Sequence, residues 1–143
     1  KKLVHQNGYK MAFGQHSGVL NPSTDFKYIP RFALNETYGN LNRLRLVLNT
    51  LPLPVQDITP DDPMISKNNP PKFGFTIASS IKNLHLLSCF SSHEGRVHAE
   101  HIGQRIELRM THPFPQGRTR VNCTLPGPEN RWRWFGRLFI VTK

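Results

Sequence analysis

Six prolines fall between Pro52 and Pro71, in a stretch that also carries Asp57, Asp61 and Asp62. Proline lacks the backbone N–H that a helix interior or a central strand must donate, so neither element can run through this region. The spacing predicts an extended, ordered linker over residues 56–71. Leu51, Leu53, Val55, Ile58, Met64 and Ile65 are apolar and need cover, so the linker is expected to lie along a surface. With twelve prolines in 143 residues a helical bundle is excluded. The expected organisation is residues 1–55, the linker 56–71 and a second unit 72–143.

The two flanks differ in period. Before the linker, Asn40 to Thr50 places Leu41, Leu44, Val47 and Leu48 on one stripe at helical spacing, with Arg43 off it, which predicts a packing helix. After it, Phe73–Ala78, Leu84–Phe90, Arg96–His101, Arg105–Thr111, Arg118–Leu125 and Trp132–Val141 read as strands, separated by turn formers such as Ser91 to Gly95 and Pro126-Gly127-Pro128. Ile106, Leu108 and Met110 alternate with Arg105, Glu107 and Arg109, and Thr119, Val121 and Cys123 alternate with Arg118, Arg120 and Asn122. The expected class is α+β, with the second unit an antiparallel β-sandwich of immunoglobulin-like type.

Cys89 and Cys123 fall in two of these strands and are expected to form a disulfide between facing strands. Two cysteines without a Cys-x-x-Cys spacing do not make a zinc site. His93, His98 and His101 cluster in sequence, but on a strand His98 and His101 point to opposite faces, so no metal site is assigned to this chain. In the last strand Trp132 and Trp134 share one face and Arg131 and Arg133 the other. Exposed indoles stack on sugar rings and arginine forks engage anions, so Trp132, Arg133 and Trp134 are the candidate glycan-binding residues.

Near the start, Lys2 to Gly8 reads as the last turn of a helix closed by a glycine, Tyr9 to Phe13 as a short strand, Gly14 to Thr24 as a loop, and Tyr28 to Phe32 as an extended return. The wording is more specific than the pattern. Gly8-Tyr9 before the strand, Phe13-Gly14-Gln15-His16-Ser17-Gly18 after it and Ile29-Pro30-Arg31-Phe32 further on resemble the closing segment of a NodB-homology polysaccharide deacetylase domain. The resemblance covers about residues 1–55, and Asn69 to Gly136 is similar to the C-terminal extension of some members. It implies that residues 1–55 end a (β/α) barrel-like catalytic domain and that 72–143 is an accessory module. His16 and Ser17 are then candidates for the rim of the substrate site, as is Arg31, whose guanidinium suits orienting a carboxylate. The family's Asp-Asp pair, its two metal-binding histidines and its Tyr-Gly turn are absent. No catalytic residue is therefore carried over, and the divalent metal, zinc or similar, is expected in an upstream part of a longer protein.

Charge narrows the partners. The chain carries 19 Lys and Arg against 9 Asp and Glu, and residues 72–143 hold 11 of the former and 4 of the latter. Such an excess favours polyanions. Trp and Arg interleaved at the C-terminus resemble a single-strand nucleic-acid surface, but no RRM, KH, zinc-finger or helix-turn-helix signature accompanies them, so nucleic acid is not the expected partner. No apolar run reaches the length of a membrane span. The first residue is Lys1 and no signal-peptide core follows it, so an internal piece of a longer bacterial product, periplasmic or secreted, is expected. The expected activity of that product is removal of N-acetyl groups from an exported polysaccharide, the upstream catalytic part being this chain's partner. A noncatalytic carbohydrate-binding or interaction module is the alternative.

Overall fold

The computed structural model describes residues 2–142. They form a mixed α+β structure, mostly strands, with two short α-helices and two single 3-10 turns at Leu84–Leu86 and Pro128–Asn130. Helix α1 (Lys2–Gln6) ends at Gly8, whose φ of +69° is the left-handed conformation that a C-terminal glycine permits. Helix α2 (Leu41–Leu48) is capped by Asn40, whose side chain accepts from the Arg43 amide at 2.9 Å. Between them residues 9–39 form irregular backbone, tied by one parallel bridge from Phe13 to Ile29.

Nine strands follow: β1 (Leu51–Pro52), β2 (Val55–Thr59), β3 (Met64–Ile65), β4 (Phe73–Ile77), β5 (Ser88–Ser91), β6 (Gly95–Ile102), β7 (Arg105–Arg109), β8 (Gly117–Pro126) and β9 (Trp132–Val141). They make one curled sheet in the order β1-β9-β8-β5-β6-β7-β4-β2, with β3 also on β9. The long β6 joins the two halves, pairing Gly95–Val97 with β5 and His98–Ile102 with β7. Gly103, at φ +60°, opens the two-residue turn between β6 and β7, where a side chain would strain the backbone.

Curling brings β4 opposite β9. Phe73 meets Phe139 edge-on at 5.0 Å and Phe75 meets Phe135 at the same distance, while Phe114 closes the end of this stack 5.7 Å from Phe139. Ile77, Ile106, Leu108, Val121, Cys89, Cys123 and Leu125 complete the interior. Full burial of such side chains contributes roughly 1.5–3 kcal/mol each. Every member of this core cluster lies between Leu53 and Phe139.

The stretch 56–71, expected to be only a linker, is partly sheet. Val55–Thr59 pairs antiparallel with β4, and Met64–Ile65 pairs parallel with β9. The proline constraint acts on position: these segments, like β1, flank the sheet instead of entering its centre. Asp57, at φ +51°, marks the irregularity in β2, and Arg105 secures it by donating to the Asp57 carbonyl and the Thr59 hydroxyl. The helix stripe also differs from expectation. Leu41 and Leu48 are exposed, whereas Arg43, expected off the stripe, is half-buried, because α2 lies over the outer face of β9 and not over the core.

Candidate functional site

On β8 the residues Thr119, Val121, Cys123 and Leu125 face the core, so Arg118, Arg120, Asn122 and Thr124 face outward. The same rule turns Phe90 of β5 and Trp132, Trp134 and Gly136 of β9 to that outer face. Residues 13–50 lie across it. Gln15 accepts from Arg118 at 2.6 Å, Phe32 meets Trp134 edge-on at 5.3 Å, and Arg131 donates to the Asn49 carbonyl at 2.8 Å. The approach is closest at Gly136, where an added Cβ would stand 2.3 Å from the Ser17 carbonyl oxygen and 2.7 Å from Asn122 Oδ1. Only glycine lets the loop settle there.

Between the loop and the sheet is a cleft of about 440 Å³, lined on the loop side by Gln15, Ser17 and Arg31 and on the sheet side by Phe90, Arg120, Asn122 and Trp134. Arg43 enters from α2, its guanidinium 5.6 Å from the Phe32 ring and 5.4 Å from the Trp134 ring. Arg31 is held across the loop by its amide bond to the His16 carbonyl at 3.0 Å and by its Nε donating to the Gly14 carbonyl at 3.0 Å. Among the described residues no aspartate or glutamate lines the cleft.

The structure brings together part of the set that the sequence singles out. Ser17, Arg31 and Trp134 converge on the cleft, and Trp132 lines an adjoining apolar hollow of about 410 Å³ with Leu46 and Thr124. His16 stacks on Tyr28 at 4.4 Å and lines a different depression, on the other side of the loop. Arg133 does not join the tryptophans. It projects from the opposite side of β9 and donates to the Pro52 carbonyl at 3.2 Å, which fixes it to β1. Arg43, Phe90 and Arg120 were missed because a helix residue off the apolar stripe, a lone Phe in an apolar run and one Arg of an alternating strand carry no local signal that they meet.

Cys89 and Cys123 are bonded to each other. They are directly paired neighbours on β5 and β8, with Cα atoms 4.1 Å apart, so the bridge joins adjacent strands of one sheet half and not facing strands. His98 and His101 are exposed on β6, and His93 stands in the turn before it. Among the described residues no three of His, Cys, Asp and Glu are grouped to hold a metal ion. Beside that turn, burial works against the Glu94 carboxylate, but bonds from the Thr111 and His112 amides and the Thr111 hydroxyl, each at 3.1 Å, outweigh it and hold its pKa below the usual range. Among the described residues no helix is long and apolar enough to cross a membrane.

No known protein family, no curated protein and no solved structure matches this chain.

Proposed function

We propose that this chain is the C-terminal part of a metal-dependent polysaccharide deacetylase, with residues 1–55 completing a NodB-type barrel-like domain and 72–143 forming an accessory sandwich of immunoglobulin-like type. The observation that carries the reading is the apolar surface left bare on the first segment. Tyr9, Met11 and Phe13 recur at every second residue before a parallel bridge, and each is more than half exposed at 62%, 59% and 69%. Three large apolar groups left bare so close together mark a surface made to be covered. An upstream catalytic half of the same protein is the occupant that the resemblance suggests.

In this reading the upstream half supplies the metal ligands and a carboxylate base, since an amide carbonyl is a poor electrophile and neutral water a poor nucleophile; the metal's contribution is to polarise and activate. The role of this chain is positional. Arg31, tied to the Gly14 and His16 carbonyls, stiffens the loop that carries the rim candidates His16 and Ser17. The Cys89–Cys123 bond suits an oxidising compartment, the periplasm or the exterior of a bacterium.

The 143-residue chain, incubated with zinc or cobalt and N-acetylglucosamine oligomers, is expected to release no acetate above a metal-only control, whereas the longer protein that contains it should. Acetate release by the chain alone that is lost in His98→Ala or His101→Ala would overturn the reading. Inactivity of the longer protein favours the alternative, a noncatalytic carbohydrate-binding module.

A further inference from the structure

The cleft over β8 and β9 is charged with one sign. Arg31, Arg43 and Arg120 line it without a carboxylate among them, and none of the three joins an ion pair among the described residues. Elsewhere on the sheet Arg105 pairs with Glu107 and Arg109 with Glu100, while Arg118, Arg133 and Arg137 donate to neutral oxygens of Gln15, Pro52 and Pro60. Arg43 also keeps its Nε buried without a hydrogen-bond partner among the described residues. Gathering like charges costs free energy unless something anionic offsets it.

The neighbouring hollow shares Arg43, Phe90, Asn122 and Trp134 with the cleft and adds the apolar surfaces of Leu46 and Trp132. The two therefore form one groove, with Arg31 and Arg120 at one end beside Ser17 and Asn35, Leu46 and Trp132 at the other, and Arg43, Phe90, Asn122 and Trp134 between them. A uniform polyphosphate backbone requires cations along its whole path. A charge at one end, amides between and an aromatic surface at the other match a sugar chain that carries a carboxylate on one residue and an apolar pyranose face or acetamido methyl on the next.

We propose that this groove binds an acidic oligosaccharide, the uronate carboxylate against Arg31, Arg43 and Arg120 and the adjoining sugar against Phe90 and Trp132. The site lies wholly within this chain, so it stands whether or not the deacetylase reading does, and a binding assay separates the two.

Both tryptophans of the chain line the groove, so intrinsic fluorescence reports on it directly. The probe is a hexasaccharide of alternating glucuronate and N-acetylglucosamine, compared with the neutral N-acetylglucosamine hexamer and with oligothymidylate at physiological salt. The acidic hexasaccharide is expected to shift the emission and to bind about tenfold more tightly than the neutral one. Arg120→Gln, at an exposed position, and Phe90→Ala should each weaken it by roughly tenfold, while Arg109→Gln, the same charge loss outside the groove, should change it by less than about twofold. Equal losses for Arg120→Gln and Arg109→Gln, equal affinity for the neutral hexamer, or tighter binding of oligothymidylate that displaces the hexasaccharide would each overturn the proposal, the last in favour of single-stranded nucleic acid.

Discussion

Individual side chains in this protein take their roles from what the fold places beside them. Glu94 is the clearest case, because its carboxylate accepts from residues 17 and 18 positions away and thereby ties the β5–β6 turn to the segment after β7. A carboxylate whose folded pKa is depressed stabilises the folded state above its unfolded pKa, and that contribution is lost as pH falls through the depressed value. Glu94→Gln is therefore expected to be less stable than the parent at neutral pH, with the difference shrinking as pH drops below the ordinary glutamate value of 4.5. Urea midpoints measured across that range check it; a difference that stays constant would show that the charge is not involved. Arg137 illustrates the reverse influence. Burial pushes its pKa down, while Tyr28, Asp61 and Asp62 pull it up, and the guanidinium lies over Phe139, donating to the Pro60 and Asp61 carbonyls. An arginine that strand alternation alone would leave facing the core thus reaches backbone oxygens at the sheet edge.

Elements meet through a few close contacts, and the most demanding is between β9 and the Gly14–Gly18 loop. At Gly136 any side chain collides with the Ser17 backbone, which cannot give way as the tip of a flexible side chain does. The loop brings little of the core with it, since its own buried apolar residue, Ile29, stands outside the main cluster. Gly136→Ala should therefore undock residues 9–39 and leave the sheet folded. Limited proteolysis is expected to cut within that segment at least about tenfold faster than in the parent, while the far-ultraviolet strand signal persists. Loss of the whole fold would show that the segment is integral to the core. The proline-rich strands teach the same lesson from the other side: β1, β2 and β3 pair although proline surrounds them, because each uses an edge where the missing donor is not needed.

At the scale of the molecule, the facing parts of a curled sheet enclose one core cluster, and the Cys89–Cys123 bond spans 34 residues across its β5–β8 seam. Closing a loop of that length restricts the unfolded chain and stabilises the fold by about 2–4 kcal/mol. Denatured, unreduced protein is expected to show no reactive thiol, and reduction should lower the urea midpoint of the sheet as a single transition. Two free thiols in the oxidised sample would contradict the bond. The net charge of +10 belongs to the whole chain, and the groove gathers three of its arginines with no acid among its described lining residues, so salt should weaken anion binding there more than it weakens folding.

The sequence by itself determined most of the strands after residue 72 and the faces of those that alternate. Period-two alternation in Arg105–Arg109 and Arg118–Leu125 assigned Ile106, Leu108, Val121 and Cys123 to the interior, where they are buried, because alternation is a local property of extended backbone. Helix α2 and the glycine after α1 were legible for the same reason, their capping and turn chemistry lying within a few residues. Tertiary structure alone decided which strands are neighbours, that the cysteines face each other across one seam, that the proline stretch pairs at the edges, and that Arg43, Arg31 and Arg120 line one cleft with Trp134. Those contacts join residues as far apart as Ser17 and Gly136, and they depend on how the sheet curls around its core, which no short window of sequence encodes.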